Sequence, residues 1–410
     1  MSVKHLGEFA EIQTGPFGSQ LHKEDYVLNG TPIVTVEHLG KRHFTEQNLP
    51  RVTDDDKQRL SKYILSEGDI VFSRVVSVDR CSYVDESHEG WMFSGRCLRV
   101  RPDESVLPLY LYYFFCLEET KQFVRNIAVG ATMPSINTKL MSEVPVAIPE
   151  IESQQRIADI LSSIDNKIEL NEIINENLEQ QARALFQSMF ITSEERYSWE
   201  SGVFSDLIES TLGGDWGKES PTGNNTEMVY CIRGADIPEV RAGNKGKMPT
   251  RYILPKNYAA KHLLPGDIVV EISGGSPTQS TGRVAAISQS LLDRYDKGMV
   301  CTNFCKAIKP KTGYSMFVYY YWQYLYDRNV FFLYENGTTG IKNLDLVGFI
   351  TTEEIVIPPA HLVKHFDDYC QIIFDQIFAN GLENEQLAII RDTLLPRLMS
   401  GEIDVSQLSI

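Results

Sequence analysis

Between Ile151 and Phe190 the apolar residues fall at Ile157, Leu161, Ile164, Ile168, Leu178, Ala182, Leu185 and Met189. Steps of four and three alternate, which is the seam of a helix that packs along a partner helix. Two positions in the middle of the seam are polar, Asn171 and Asn175. A buried Asn weakens a seam but fixes its register, because a slip would leave the amide facing hydrocarbon. A shift of 209 residues carries Ile157 onto Phe366, and the rest of the seam onto Cys370, Ile373, Ile377, Leu387, Arg391, Leu394 and Leu398. The same shift carries the two Asn onto Asn380 and Asn384, and Asn175-Glu176-Asn177-Leu178 onto Asn384-Glu385-Gln386-Leu387. Both polar interruptions recur at one offset, so the pattern predicts a tandem duplication rather than two unrelated amphipathic helices.

Ahead of each helix the pattern changes to that of strands. Residues 1–149 hold the runs Pro32-Ile33-Val34-Thr35-Val36, Asp69-Ile70-Val71-Phe72 and Cys97-Leu98-Arg99-Val100. Leu109 to Val124 is rich in aromatics at helical spacing, which predicts a helix buried against a sheet. Val144 to Pro149 is a last extended piece, and its proline marks a boundary before the first long helix. The stretch before the second long helix repeats the plan. Gly68-Asp69-Ile70-Val71 recurs as Gly266-Asp267-Ile268-Val269, Ile33-Val34 aligns with Cys231-Ile232, and Glu354 to Pro358 echoes the piece before Pro149. Between these anchors the copies diverge, so two like scaffolds are expected to present different loops. The expected organisation is a first globular domain at 1–149, a first long helix at 150–192, a second globular domain at 193–358 and a second long helix at 359–402.

Composition changes little in this picture. The chain has 410 residues, 42% hydrophobic and 23% charged, as ordinary soluble proteins have. Met1-Ser2-Val3-Lys4-His5 lacks the apolar core of a signal peptide, and no stretch is long and apolar enough to span a bilayer. The seven Cys (81, 97, 116, 231, 301, 305 and 370) form no framework, and neither Cys nor His completes a zinc set around Cys301 and Cys305. Free thiols in a reducing cytoplasm are the simplest account.

Charge is more informative. The net charge of −16 argues at first against a nucleic-acid partner. By segment, residues 1–149 carry 16 basic and 20 acidic groups and 200–358 carry 16 and 17, whereas 150–199 hold 4 against 10 and 359–410 hold 3 against 8. The acidic excess sits in the helices, and the near-neutral globular parts can grip DNA only through local patches, aided by a basic partner. Acidic outer helix faces suit a partner with basic patches, although a plain solvated face accounts for them equally well.

Catalytic signatures are missing. The sequence has no GxGxxG loop, no Walker loop and no HExxH; His88-Glu89 lacks the second His. Gly337-Thr338-Thr339-Gly340 reads as a turn, and Pro358-Pro359-Ala360 is not the Asn-Pro-Pro-aromatic run of an amino-methyltransferase. Scattered Ser, His and Asp cannot be assembled into a triad from sequence, which leaves an unusual enzyme site as a minor alternative.

The duplicated plan resembles the specificity subunit of type I restriction–modification systems. The matching text is Val146-Ala147-Ile148-Pro149 through Gln154-Gln155-Arg156-Ile157, similar to that family's entry to its first helix, and Leu394-Leu395-Pro396-Arg397-Leu398-Met399-Ser400-Gly401-Glu402-Ile403, similar to its C-terminal ending. One departure is Val363-Lys364-His365, where a Glu-Gln pair would be expected, and it affects the cap of the second helix. The resemblance implies a mixed α/β (α+β) fold: two target-recognition domains separated by two long antiparallel coiled-coil helices in a pseudo-two-fold duplication. It implies a non-catalytic, cytoplasmic subunit in which each domain reads one half of a split, asymmetric DNA site. The helices would be a ruler and the dock for two modification (methyltransferase) subunits. A helix of about 40 residues spans about 60 Å, and two readers on one face of B-DNA need centres about 34 Å apart. S-adenosylmethionine, and ATP with Mg, would be used by the modification and restriction subunits, with no cofactor or metal in this chain.

The DNA-binding candidates are polar, basic loop residues that follow strands: Lys41, Arg42 and His43, then Arg74, Arg80 and Arg96 in the first domain. Gly15 to Gln20, around Pro16-Phe17, is placed to bring backbone near phosphate. In the second domain the candidates are Lys245, Lys247, Ser276, Thr278, Gln279 and Arg283. Arg suits guanine edges, Gln suits adenine, and Lys more often meets phosphate. Asn171, Asn175, Asn380 and Asn384 are assigned to helix register and packing. The contrasting reading is a two-lobed adaptor that joins protein partners and does not touch DNA.

Overall fold

The computed structural model describes residues 2–18, 20–276, 278–337 and 341–407. The chain divides into two compact units, Met1–Asp165 with Ile389–Ile410, and Asn166–Ala388. The division falls inside both long helices, Ile151–Phe186 and Ala360–Met399, and not at the expected 149, 192 or 358.

In the first unit the two main sheets contain β1 (Ala10–Thr14), β2 (Thr31–Val34), β3 (Ile70–Ser73), β4 (Cys81–Tyr83), β5 (Met92–Phe93) and β6 (Cys97–Pro102), beside the short strand Arg51–Val52. One antiparallel sheet has the order β1-β6-β3-β4. A second sheet sets β2 antiparallel to Arg51–Val52 and parallel to β5. All four residues of β3 are buried, and successive side chains face opposite ways. Ile70 and Phe72 join one core; Val71 joins the other, with Ile33, Val34 and Phe93. This explains why the Asp69–Phe72 run reads as continuously apolar: the strand is covered on both faces. Helix α1 (Pro108–Cys116) starts on a proline and packs Tyr110, Leu111 and Phe115 onto the first core, with Phe115 edge-on to Phe72 at 4.7 Å. The sequence pattern extends to Val124, but the chain breaks at Leu117 and resumes as a separate helix, Glu118–Ile127.

The second unit repeats this topology. Its strands are β7 (Ile208–Gly213), β8 (Glu227–Ile232), β9 (Ile268–Glu271), β10 (Val284–Ala286), β11 (Met299–Cys301) and β12 (Cys305–Pro310). The antiparallel order is β7-β12-β9-β10, and β8 lies antiparallel to Thr250–Ile253 and parallel to β11. A small added sheet joins Ser273–Gly274, Lys342–Leu344 and Glu335–Asn336. The recurring Gly-Asp pair has a physical role. Gly68 and Gly266 have φ of +87° and +91°, a region that L side chains rarely adopt. The Asp that follows closes the turn: Asp69 accepts from the Ser66 amide and from Arg101, Asp267 from the Leu264 amide and from Lys309.

The long helices are α2 (Ile151–Phe186), continued by a π turn over Gln187–Ile191, and α4 (Ala360–Met399); between them α3 (Ser315–Asp327) is the second unit's counterpart of α1. Within the second unit their segments run antiparallel, and the four Asn meet in pairs. Asn380 Nδ2 donates to Asn175 Oδ1 at 2.8 Å, and Asn171 Nδ2 donates to Asn384 Oδ1 at 2.9 Å. Each position thus meets the copy of its neighbour rather than its own copy. Within the first unit, Ile157, Ala158 and Leu161 share a core with Leu395, Leu398 and Met399, and Arg391 reaches Asp165 Oδ1 at 2.7 Å.

The Val363 departure also has an explanation. In the first unit the fully buried Gln154 accepts from the Leu107 amide at the start of α1 and donates to Pro149 O. In the second unit Val363 is buried in the core, and Asp367, one turn further on, accepts from the Met316 amide at the start of α3. The orphan amide is met by a different residue on the same helix face.

Candidate nucleic-acid interface

Directly after equivalent strands each unit carries Gly-x-aromatic-Gly: Gly15-Pro16-Phe17-Gly18 after β1, and Gly214-Asp215-Trp216-Gly217 after β7. The first glycine has no substitute. A Cβ on Gly15 would lie 2.1 Å from Ser94 O, and one on Gly214 would lie 1.8 Å from Thr302 O. The loop therefore crosses directly over a tight turn, Ser94–Cys97 in one unit and Thr302–Cys305 in the other, each closed by a 2.9 Å backbone bond. Both aromatics lie under a guanidinium: Arg74 is 5.2 Å from the Phe17 ring centroid, and Arg251 is 3.7 Å from that of Trp216. Such pairing holds an aromatic face in place at a partly wet site.

The two crossings line open cavities. In the first unit Pro16, Phe17, Asn48, Ser94, Gly95 and Arg96 border about 740 Å³. In the second unit Trp216, Arg233, Glu271, Ser273, Asn303 and Phe304 border about 410 Å³. The turns, Ser94-Gly95-Arg96-Cys97 and Thr302-Asn303-Phe304-Cys305, share only the cysteine that opens β6 or β12, and the residue before it differs most in chemistry. It is Arg96 in the first unit and Phe304 in the second, and both are exposed. A guanidinium and a ring recognise different base edges, so one framework carries two chemistries.

Residues 1–180 match the family model described as type I restriction modification DNA specificity domain. The chain is 24% identical to the MjaIX type I restriction enzyme specificity subunit of Methanocaldococcus jannaschii, over 99% of this chain and 94% of that one. It is also 24% identical to the HindI specificity subunit of Haemophilus influenzae, over 97% of this chain and all of that one. Residues 1–180 thus resemble a type I specificity domain, and the chain along nearly its whole length is similar to type I specificity subunits. A type I restriction–modification S subunit from M. genitalium has a similar fold, with a TM-score of 0.56 and 12% identity over 97% of this chain and 95% of that one.

The basic and polar loop residues expected from sequence are placed unevenly around the two cradles. Arg96 lines the first cavity, and Arg74 stands over Phe17 with Nη1 donating to Gly95 O. Arg80 donates to Leu39 O, and so ties the Lys41-Arg42-His43 loop to β4. Ser82 Oγ donates to Lys41 O, Tyr83 N donates to Arg42 O, and His43 Nδ1 lies 2.7 Å from Asp85 Oδ2. In the second unit Arg283 makes a two-pronged pair with the buried Glu271, at 2.8 and 2.7 Å. Ser276 caps a turn by accepting from the Gln279 amide, which leaves Thr278 and Gln279 exposed at its tip. Lys245 lies over the Tyr295 ring, and Lys247 points to solvent while its amide donates to Asp236. Thr338, Thr339 and Gly340 lie outside the described residues.

Sequence reading missed Trp216, Arg233, Asn303 and Phe304. The available signal was the Gly-x-aromatic-Gly repeat, found at matching places ahead of the two Gly-Asp-Ile-Val segments. Among the described residues no helix is long and apolar enough to cross a membrane.

Proposed function

We propose that the chain is a type I specificity subunit in which each globular unit reads one half of an asymmetric, bipartite DNA site. The observation that carries the reading is the pair of equivalent glycine-pinned cradles whose linings differ, most sharply at the exposed Arg96 against Phe304. Two readers of one architecture and unlike chemistry suit a split site with unlike halves. The chain itself is non-catalytic and cytoplasmic: S-adenosylmethionine serves two modification subunits, and ATP with Mg serves a restriction subunit where one is present. The modification subunits dock on the long helices, whose outer faces carry the acidic excess together with exposed apolar residues such as Ile173 and Ile372. The helices set the unread spacer, so helix length determines spacer length.

Selection of bound sites by the purified complex from random duplexes tests this reading. A split motif with one fixed spacer is expected. Phe17→Ala or Arg96→Ala should relax one half, and Trp216→Ala or Phe304→Ala the other. Relaxation of both halves by one substitution overturns the division of labour, and retention of protein partners with no duplex bound supports the adaptor instead.

A further inference from the structure

From a second cluster in the first unit, apart from its cradle, we infer a transition-metal site of the zinc type, held by His43, Asp85 and His88. One nitrogen from each His and one carboxylate oxygen lie within 4.8 Å of one another. His43 Nδ1 is 2.7 Å from Asp85 Oδ2, and His88 Nδ1 is 2.6 Å from Asp85 Oδ1. The rings are parallel, with a 10° interplanar angle, so both present Nδ1 towards the one carboxylate. Two imidazoles and a carboxylate are the donor set for Zn²⁺ and its neighbours in the first transition row, not for Ca²⁺ or Mg²⁺. With bonds of about 2.0–2.2 Å, a small side-chain rotation brings the three atoms around one centre, and a fourth position stays open to water.

The second observation is the far side of the His88 ring. Its side chain is 5% exposed, walled by Phe44 and Trp91, and its Nε2 has no hydrogen-bond partner but lies 3.6 Å from Glu46 Oε1. A neutral imidazole has one N–H and one lone pair. If Nδ1–H points to Asp85, the Nε2 lone pair faces the Glu46 carboxylate. A metal on Nδ1 removes that conflict: the lone pair goes to the ion and Nε2–H goes to Glu46, the usual carboxylate support of a ligating His, whereas a doubly protonated ring held by both carboxylates is the metal-free arrangement that titration with Zn²⁺ distinguishes. The ion would clip the 41–46 loop to the segment after β4; the bond from Tyr83 N to Arg42 O already ties the loop to β4, and that from Thr45 N to His38 O closes the loop on itself. The ligands are far apart in sequence, and only Asp85-x-x-His88 is local, so no spacing rule finds the site.

The test uses the full chain after treatment with chelator. Titration with Zn²⁺ should show one equivalent bound and a rise in melting temperature. Co²⁺ should give visible absorption without a thiolate charge-transfer band. His43→Ala and Asp85→Asn should each weaken Zn²⁺ binding more than about tenfold. Asp85→Asn keeps the oxygen that caps the following turn, and His43 is only half-buried, so both variants should fold. Amide exchange over 39–46 should slow on adding Zn²⁺ to the wild type and not to the variants. His361 and His365, exposed one turn apart on α4, are the control pair. Zn²⁺ binding that survives His43→Ala and Asp85→Asn, or is lost with His361→Ala/His365→Ala, overturns the assignment, as does the absence of a bound equivalent.

Discussion

Asn175→Ala tests the helix seam directly. Asn175 and Asn380 are each 6% exposed, and the Asn380 amide donates to Asn175 Oδ1 at 2.8 Å. Asn175 Nδ2 also donates to Ala242 O and Ile377 O, at 3.2 and 3.1 Å. Truncation strands the buried Asn380 donor, whereas Ala242 is exposed and its carbonyl turns to water. A stranded buried group costs about 1–3 kcal/mol, and the single variant should lose about that much. Replacing both partners by Leu removes the polar groups together and should cost far less, since apolar pairs of similar size often match or exceed a buried polar pair. The assay is urea unfolding followed by tryptophan fluorescence, because Trp199, Trp216 and Trp322 all lie in the second unit. A double-mutant cycle gives the coupling. A single variant within about 0.5 kcal/mol of wild type, together with zero coupling, would refute the reasoning.

Arg283→Ala strands the buried Glu271 carboxylate and should destabilise the second unit by about 3–5 kcal/mol, read as a lower urea midpoint, so any loss of DNA binding would follow from misfolding. Arg74→Ala, by contrast, removes a partly exposed guanidinium over Phe17 and should weaken duplex binding in a gel shift with an unchanged urea midpoint. Asp236 should shape the acid limb of stability. Burial pushes its carboxyl up, but bonds from the Arg233 side chain and from the Arg233 and Lys247 amides outweigh this and hold it below the usual range. The stabilisation is then complete above the ordinary carboxylate pKa and fades as pH falls below about 4, so Asp236→Asn should flatten the fall measured by melting temperature between about pH 5 and 2.

The duplication, the long helices and the repeated strand anchors were legible because each is written as a period: three and four for the seam, an apolar run for β3 and β9, and a fixed shift between copies. The Asn pairing was not legible from the seam pattern alone, because which amide meets which depends on the direction of the partner helix, and only the family resemblance implied that. Arg283 looked like a reader because a basic residue in a glycine-rich stretch carries no mark of the acid it pairs with, twelve residues earlier across a hairpin. The cradles were half visible. Gly15 to Gln20 reads as a backbone approach to phosphate, but the carbonyl that forbids a side chain at Gly15 belongs to a turn far along the chain. The His43–Asp85–His88 cluster was hidden for the same reason.

The crossed amide pairing has a consequence for ancestry. Because Asn171 joins the duplicate of Asn175, and Asn175 joins the duplicate of Asn171, every bond would survive if the two helices were identical in sequence and belonged to separate polypeptides. A gene half this size, encoding one lobe and one rod, would yield a self-complementary homodimer with the same four amides at its centre. Fusion of two such genes would then free each lobe to drift towards its own target.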